Sequence, residues 1–221
     1  GPILAYLSVT IAVWLLLATL LEWTIRIRLF DVPMLESIRR ARNLPRASHG
    51  MTMAHAGLAI GIFGFVGSSA WKSEEIVFVQ PGAIIEIAGF DVRFDGVERV
   101  RGPNYFADRG TLTVSREGEF VTTLYPERRS YPVAQSRTTE SAIRSTLAGD
   151  LYASLAEPAS EAASDQGAWT LRILYEPLVS FIWMGSIMMI FGGGLSLSDR
   201  RLRVGAPRRA SQSKIVATPA E

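Results

Sequence analysis

The string "GMTMAHAGLAIGIFGFVGSSAW", Gly50 to Trp71, places His55 inside an apolar run; the chain's other histidine is His49. An imidazole is costly in hydrocarbon, so an ionisable residue at such depth usually faces a bundle interior or cavity and is a functional candidate by default. Three roles suit it: an axial nitrogen for haem iron, a proton relay, or a hydrogen bond to an adjacent helix. At about 100° per residue, Gly57, Gly61, Gly64 and Ser68 fall on a helix face roughly opposite His55. The Gly57-x-x-x-Gly61 pair lets a neighbouring helix approach closely. The other side presents His55 above Ile62 and Val66, an apolar wall that suits a neutral imidazole beside an iron. A six-coordinate haem needs a second ligand, and the other apolar runs hold no histidine. Met184, Met188 and Met189 are candidates, but methionine in a membrane helix more often packs. A second histidine is therefore expected from outside this chain. His49 lies six residues before His55, about 120° round the helix, and is expected to be an exposed interfacial residue.

The elements that must hold His55 are legible as apolar runs. Besides Gly50–Trp71 there are two, Ile3–Trp23 and Pro177–Leu197. Each is close to the ~20 residues that cross a ~30 Å hydrocarbon core. Trp23 and Trp71 stand at run ends, where indoles anchor at headgroups. The first run lacks the basic start and cleavage site of a signal peptide, and the opening Gly1-Pro2 suggests a fragment or a tagged product. The segment Ile25–Gly50 has six Arg against two acids, and the tail after Leu197 has six Arg or Lys against two. Lys72–Arg172 has eleven basic and fifteen acidic residues, a net of −4. Short basic loops stay in the cytoplasm. The expected order is a transmembrane helix over 3–24, a cytoplasmic loop over 25–50, a second helix over 51–71, a periplasmic β-rich domain over 72–172, a third helix over 173–198 and a cytoplasmic tail over 199–221. A pI near 9.2 is not read as nucleic-acid binding, because the basic residues flank spans as topology signals do. With no cysteine there is no disulfide framework and no thiol metal site.

Met34–Arg42 reads as a short amphipathic stretch at the cytoplasmic interface, or else as a solvated connector. In the outer segment, β-branched runs are broken at Pro81-Gly82 and Gly89. "TLTVSREGEFVTTLY" predicts a hairpin turning at Arg116–Glu119. "TTESAIRSTL" opens on a cap-like Thr and continues at helical spacing through Ile143 and Leu147, which predicts a helix. Ala156–Gly167 predicts a mobile loop, and "AWTLRILY" a last strand leading into the third span. The fold class is thus a membrane α-helical protein, three transmembrane helices carrying a small antiparallel β-rich domain. That domain has no His or Cys, no nucleophile elbow or phosphate loop, and only scattered acids, so docking is favoured over catalysis.

Several strings, taken together and in order, resemble the C-terminal part of the CcmF family, the haem-lyase membrane subunit of bacterial cytochrome c maturation. They are "GMTMAHAG", "VRGPNY", "LYPERRSYP", "TTESAI", "GDLYASL" and "LYEPLVSFIWMGSIMMIFGGGLSLSDRRLR", spread over roughly Gly50 to Arg203. The family is much longer; its tryptophan-rich haem-handling motif, its periplasmic haem-binding histidines and one of two transmembrane histidines are not in this chain. The resemblance maps the second transmembrane histidine onto His55 and implies an axial ligand to a membrane b-type haem. It further implies a bacterial inner-membrane complex that joins haem to the thiols of C-x-x-C-H apocytochromes, with the b haem keeping the delivered haem reduced. The implied partners are the N-terminal portion or a neighbouring subunit supplying the second histidine, a periplasmic haem chaperone, the apocytochrome and its thiol-handling subunits, and the lipid bilayer. No catalytic residue is implied in this chain. Two other readings remain at this point: a non-catalytic scaffold in which His55 packs, and a transporter segment in which it relays protons.

Overall fold

In the computed structural model, which describes residues 2–156 and 168–199, apolar composition and length decide the helices and β-branched runs decide the sheet. Helices α1 (Pro2–Ile27), α2 (Met34–Asn43) and α3 (Arg46–Ala70) come first. Ten strands follow: β1 (Ser73–Val79), β2 (Ile84–Ile87), β3 (Phe90–Arg101), β4 (Phe106–Arg116), β5 (Glu119–Leu124), β6 (Glu127–Tyr131), β7 (Ser136–Glu140), β8 (Ala142–Ser145), β9 (Gly149–Leu155) and β10 (Trp169–Pro177). Helix α4 (Val179–Leu197) closes the described chain. Three of the helices, over Ile3–Ile27, Arg46–Ala70 and Val179–Leu197, are long and apolar enough to cross a membrane.

Prolines set two of the starts. Pro33 and Pro45 sit at the N-caps of α2 and α3 with φ of −54° and −56°, and α3 begins five residues ahead of the helix expected over 51–71. Pro177 is the last residue of β10 rather than the first of a span. A single residue, Leu178 at φ +60°, converts strand to helix. That left-handed conformation is unfavourable for leucine. It is held by a hydrogen bond from Leu178 N to Ala148 O (2.9 Å) and by side-chain packing against Gly67.

The strands form two antiparallel sheets. One has the order β1-β10-β9-β8; the other has β2-β3-β4-β6-β7, with β5 also pairing β4. Val92, Phe94, Leu112 and Val114 of the second sheet face Leu151, Ala153, Leu155, Leu171 and Ile173 of the first, and all are essentially buried. The expected hairpin is present, with Glu117 and Gly118 at φ +53° and +81°. Two successive positive-φ residues are what a two-residue turn between right-twisted strands requires.

The helix expected over "TTESAIRSTL" is not formed. Ser136–Glu140 is the edge strand β7 on β6, and Ala142–Ser145 is β8 on β9. A ten-residue helix is marginal unless a face is buried. Ile143 and Leu147, the residues that would form that face, are exposed. Pairing to two existing strands satisfies the backbone instead. The expected loop over Ala156–Gly167 and the tail beyond Asp199 lie outside the described residues, apart from Ala156 itself.

Helices α3 and α4 pack as an antiparallel pair on glycine. A Cβ on Gly57 would stand 2.7 Å from Gly185 O, and one on Gly185 would stand 2.5 Å from Gly57 O. Gly50 and Gly192 oppose each other with the same closeness, and Gly64 lies against the backbone of Ile182. The tight positions on α3 are therefore Gly50, Gly57 and Gly64, seven residues apart. Gly61, the second glycine of the four-residue motif, would bring its Cβ only to 3.9 Å from Gly185 Cα. Without a hydrophobic drive between helices in lipid, such backbone contact is what associates them. Gly57→Leu is expected to lower the melting temperature in detergent by roughly 5–10 °C, since overpacking against backbone cannot relax through a side chain. Gly61→Ala should be close to neutral. Equal melting of both variants would show that this contact does not hold the pair.

Candidate functional site

His55 is nine residues into α3, about 14 Å along the axis from Arg46 at 1.5 Å per residue. Three sectors of the helix are distinguishable. The glycine sector faces α4. A second sector, including Ala59, Ile60 and Phe63, meets Ala12, Val13 and Leu16 of α1 around a cavity of about 280 Å³. The third sector carries His55 and Leu58, both exposed within this chain. Val66, expected beneath His55, is instead buried, on the side of α3 that lines a cleft with Leu4 and Ala5 of α1. The apolar companion of His55 on the open flank is Leu58, with Ile62 half-covered; Phe65, though exposed, borders the same α1 cleft as Val66.

The imidazole is oriented by its own helix. Nδ1 lies 2.8 Å from Met51 O, one turn back. A carbonyl only accepts, so Nδ1 carries the proton and donates. Nε2, the nitrogen away from the backbone, is thereby the one left to act as a ligand. Histidines that bind metals are usually fixed by donation of the other ring N–H to a carbonyl or carboxylate. An outward Nε2 on an apolar, exposed flank fits an axial bond to a flat apolar macrocycle. Two of the three α4 methionines lie on the glycine sector, Met188 through its Cβ and Met189 through its backbone N, both against Gly57.

His49 is half-buried rather than exposed, and its ring is used structurally. Nε2 donates to Ala41 O (2.9 Å), a carbonyl of the last turn of α2 that also accepts from the Leu44 amide at the helix C-cap (3.2 Å). Other contacts tie the same end of the bundle. Ser37 Oγ donates to Arg28 O (3.2 Å), and Arg26 donates to Ser48 Oγ (2.7 Å) while also pairing with Glu22. The Ala47 amide, in the first turn of α3, donates to Asp199 Oδ2 (3.1 Å). Asp199 is buried and places a negative charge at the positive end of α3. No sequence signal marks it as a cap, since it lies 152 residues from Ala47.

In the β domain, sequence reasoning took the acids as scattered; Glu127 is in fact buried between two arginines. Its Oε1 accepts from Arg109 Nε (2.7 Å) and its Oε2 from Arg129 Nε (2.8 Å). Burial pushes the Glu127 carboxyl up, but the two guanidinium bonds outweigh it and hold it below the usual glutamate range. Asp150 is also buried, with Tyr152 Oη 3.4 Å from its Oδ2 and Glu176 opposite it across the ladder. Burial first, then Asp150 and Glu176, pushes the Tyr152 hydroxyl up. Among the described residues no group of His, Asp and Glu is arranged to hold a metal ion. The triad Arg109–Glu127–Arg129 joins β4 to β6 and is a structural ion pair, not an acid–base pair facing a cleft.

These features define a class: a membrane helix bundle with one exposed intramembrane histidine, carrying an antiparallel β-sandwich inserted between two spans. Residues 70–177 match the family model described as the CcmF C-terminal beta-sandwich. The whole chain is 39% identical over 221 residues to the cytochrome c-type biogenesis protein CycK of Bradyrhizobium diazoefficiens, covering 33% of that protein. It is 39% identical over 173 residues to CcmF of Pseudomonas aeruginosa, covering 78% of this chain and 26% of that one. A solved structure titled as cytochrome c heme lyase CcmF shares the fold at a TM-score of 0.56 and 18% identity, over 84% of this chain and 34% of that chain. The chain thus corresponds to the C-terminal portion of the CcmF family, and it spans about a third of the length of the curated relatives it matches.

The Glu127 cluster gives a pH dependence. A folded-state pKa below the unfolded value adds stability that is complete above the ordinary glutamate pKa, about 4.3, and is lost as pH falls through the lower folded value. Melting temperature should therefore drop below about pH 4.5. Glu127→Gln should cost about 2 kcal/mol at pH 7 and flatten that drop. An unchanged acid limb in Glu127→Gln would assign the drop to other carboxylates.

Proposed function

We propose that this chain supplies one axial ligand, His55 Nε2, to a b-type haem within the membrane of a haem lyase that matures c-type cytochromes. The observation that carries the reading is the Nδ1–Met51 O bond, which leaves Nε2 as the outward nitrogen on the flank that neither α1 nor α4 covers. The match to cytochrome c-type biogenesis proteins and the "GMTMAHAG" string around His55 support it. Bound there, haem would supply one-electron redox chemistry, which suits keeping substrate haem reduced before its attachment to C-x-x-C-H thiols. The residues of this chain orient the imidazole (Met51 O), present an apolar side chain one turn further on (Leu58) and brace its helix (the glycine sector). The second histidine comes from the N-terminal portion of the lyase or a neighbouring subunit. A periplasmic haem chaperone, the apocytochrome and its thiol-handling subunits are the further partners.

The same reading sets the topology in the bacterial inner membrane. In this reading the basic end of α1, the start of α3 and the chain after α4 face the cytoplasm and the β-sandwich faces the periplasm, which the distribution of basic residues supports. Asn43 and Ser136 are both exposed and lie on opposite sides in this scheme. An impermeant thiol reagent on intact spheroplasts should label Ser136→Cys and spare Asn43→Cys. The reverse pattern would overturn the orientation.

For the ligand role, His55→Ala should remove the reduced b-type absorption from the purified complex and abolish maturation, while the spans still insert. Added imidazole should restore part of both, because it replaces the donor without its tether. A wild-type spectrum and full maturation in His55→Ala without imidazole would leave His55 as a packing residue, as expected of a scaffold. Loss of maturation with an intact haem spectrum would favour the proton-relay reading.

A further inference from the structure

The short helix α2 cannot leave the membrane surface. Only Arg28–Pro33 separates it from α1 and only Leu44–Pro45 from α3, both of which are long and apolar enough to span. Its buried side is pinned: Ser37, fully buried, bonds Arg28 O, and His49 holds Ala41 O. The rotation of α2 is therefore fixed, and so is what it shows outward. Its outer face carries Leu35 (80% exposed) and Ile38 (49% exposed) beside Arg39 and Arg42, along a groove of about 730 Å³. Arg42 also borders a second groove of about 700 Å³ that is lined further by Arg46 and by Asp199, whose carboxylate accepts from the Ala47 amide. Glu36, the acid on α2, is engaged by Arg40 (3.2 Å). Among the described residues neither Arg39 nor Arg42 is ion-paired.

We infer that this face is a binding site for an anionic phospholipid, with the phosphate on Arg39 and Arg42 and the acyl chains over Leu35 and Ile38. Water is a poor occupant, because two large apolar side chains would be held exposed by a helix that cannot rotate them away. A lipid headgroup layer supplies the negative charge the unpaired arginines match and the hydrocarbon the leucine and isoleucine match.

The test uses the whole chain in detergent, titrated separately with phosphatidylglycerol, phosphatidylcholine and inorganic phosphate, with bound adducts counted by native mass spectrometry. Wild type should retain phosphatidylglycerol at least several-fold more than phosphatidylcholine. The Arg39→Gln, Arg42→Gln double variant should lose that preference while its melting temperature stays that of wild type. Leu35→Ser, Ile38→Ser should weaken both lipids without removing the preference. Equal phosphatidylglycerol retention in wild type and the arginine variant would overturn the site. So would saturation of the phosphatidylglycerol effect by inorganic phosphate alone, which would reduce the site to a free-anion patch.

Discussion

The backbone contact between α3 and α4 is the constraint on which the other features of this molecule rest. Gly50, Gly57 and Gly64 meet Gly192, Gly185 and the start of α4 so closely that no Cβ fits at any of these glycines. The same antiparallel pairing continues beyond the helices. Gly67 packs on Leu178, and then Ser73 pairs with Tyr175 and Val79 with Trp169 in the β1–β10 ladder. Helix pair and strand pair are thus one continuous hairpin, with the rest of the sandwich inserted between Val79 and Trp169. The left-handed Leu178 is where helical packing changes to ladder pairing, and its strain is tolerated because both sides are fixed.

That hairpin decides where His55 can point. With α4 on the glycine sector and α1 on the alanine and phenylalanine sector, one flank of α3 is left, and His55 occupies it with Leu58. The Met51 carbonyl then selects the ring nitrogen that faces outward. The opposite end of the bundle is closed by polar contacts rather than by packing. Asp199 satisfies an open amide in the first turn of α3, while His49 and Ser37 add second hydrogen bonds to the Ala41 and Arg28 carbonyls and so tie α2 to α3 and α1.

The three spans were readable because composition alone determines them, and so was the Arg116–Glu119 turn, because its residues tolerate positive φ. His55 was readable because an imidazole stands out in an apolar run. Its immediate surroundings were less so. Helical spacing put Val66 beneath it, but which sector α1 covers is a tertiary fact. Likewise the spacing of four between Gly57 and Gly61 was visible, whereas the spacing of seven that meets α4 depends on register with a helix more than a hundred residues away. The false helix over "TTESAIRSTL" has the same origin: strand pairing to β6 and β9 overrode a local cap signal. Glu127 looked like one acid among many until the β4–β6 ladder placed Arg109 and Arg129 on either side of it.

The central claim is that His55 presents Nε2 to iron. It is tested most directly by pulsed electron paramagnetic resonance on the oxidised complex assembled from this chain carrying ¹⁵N-labelled histidine and unlabelled partners. His49→Gln leaves His55 as the chain's only labelled imidazole. The account predicts an ¹⁵N hyperfine coupling to a low-spin ferric haem that disappears in His55→Ala. A low-spin haem with no ¹⁵N coupling from this chain would contradict it.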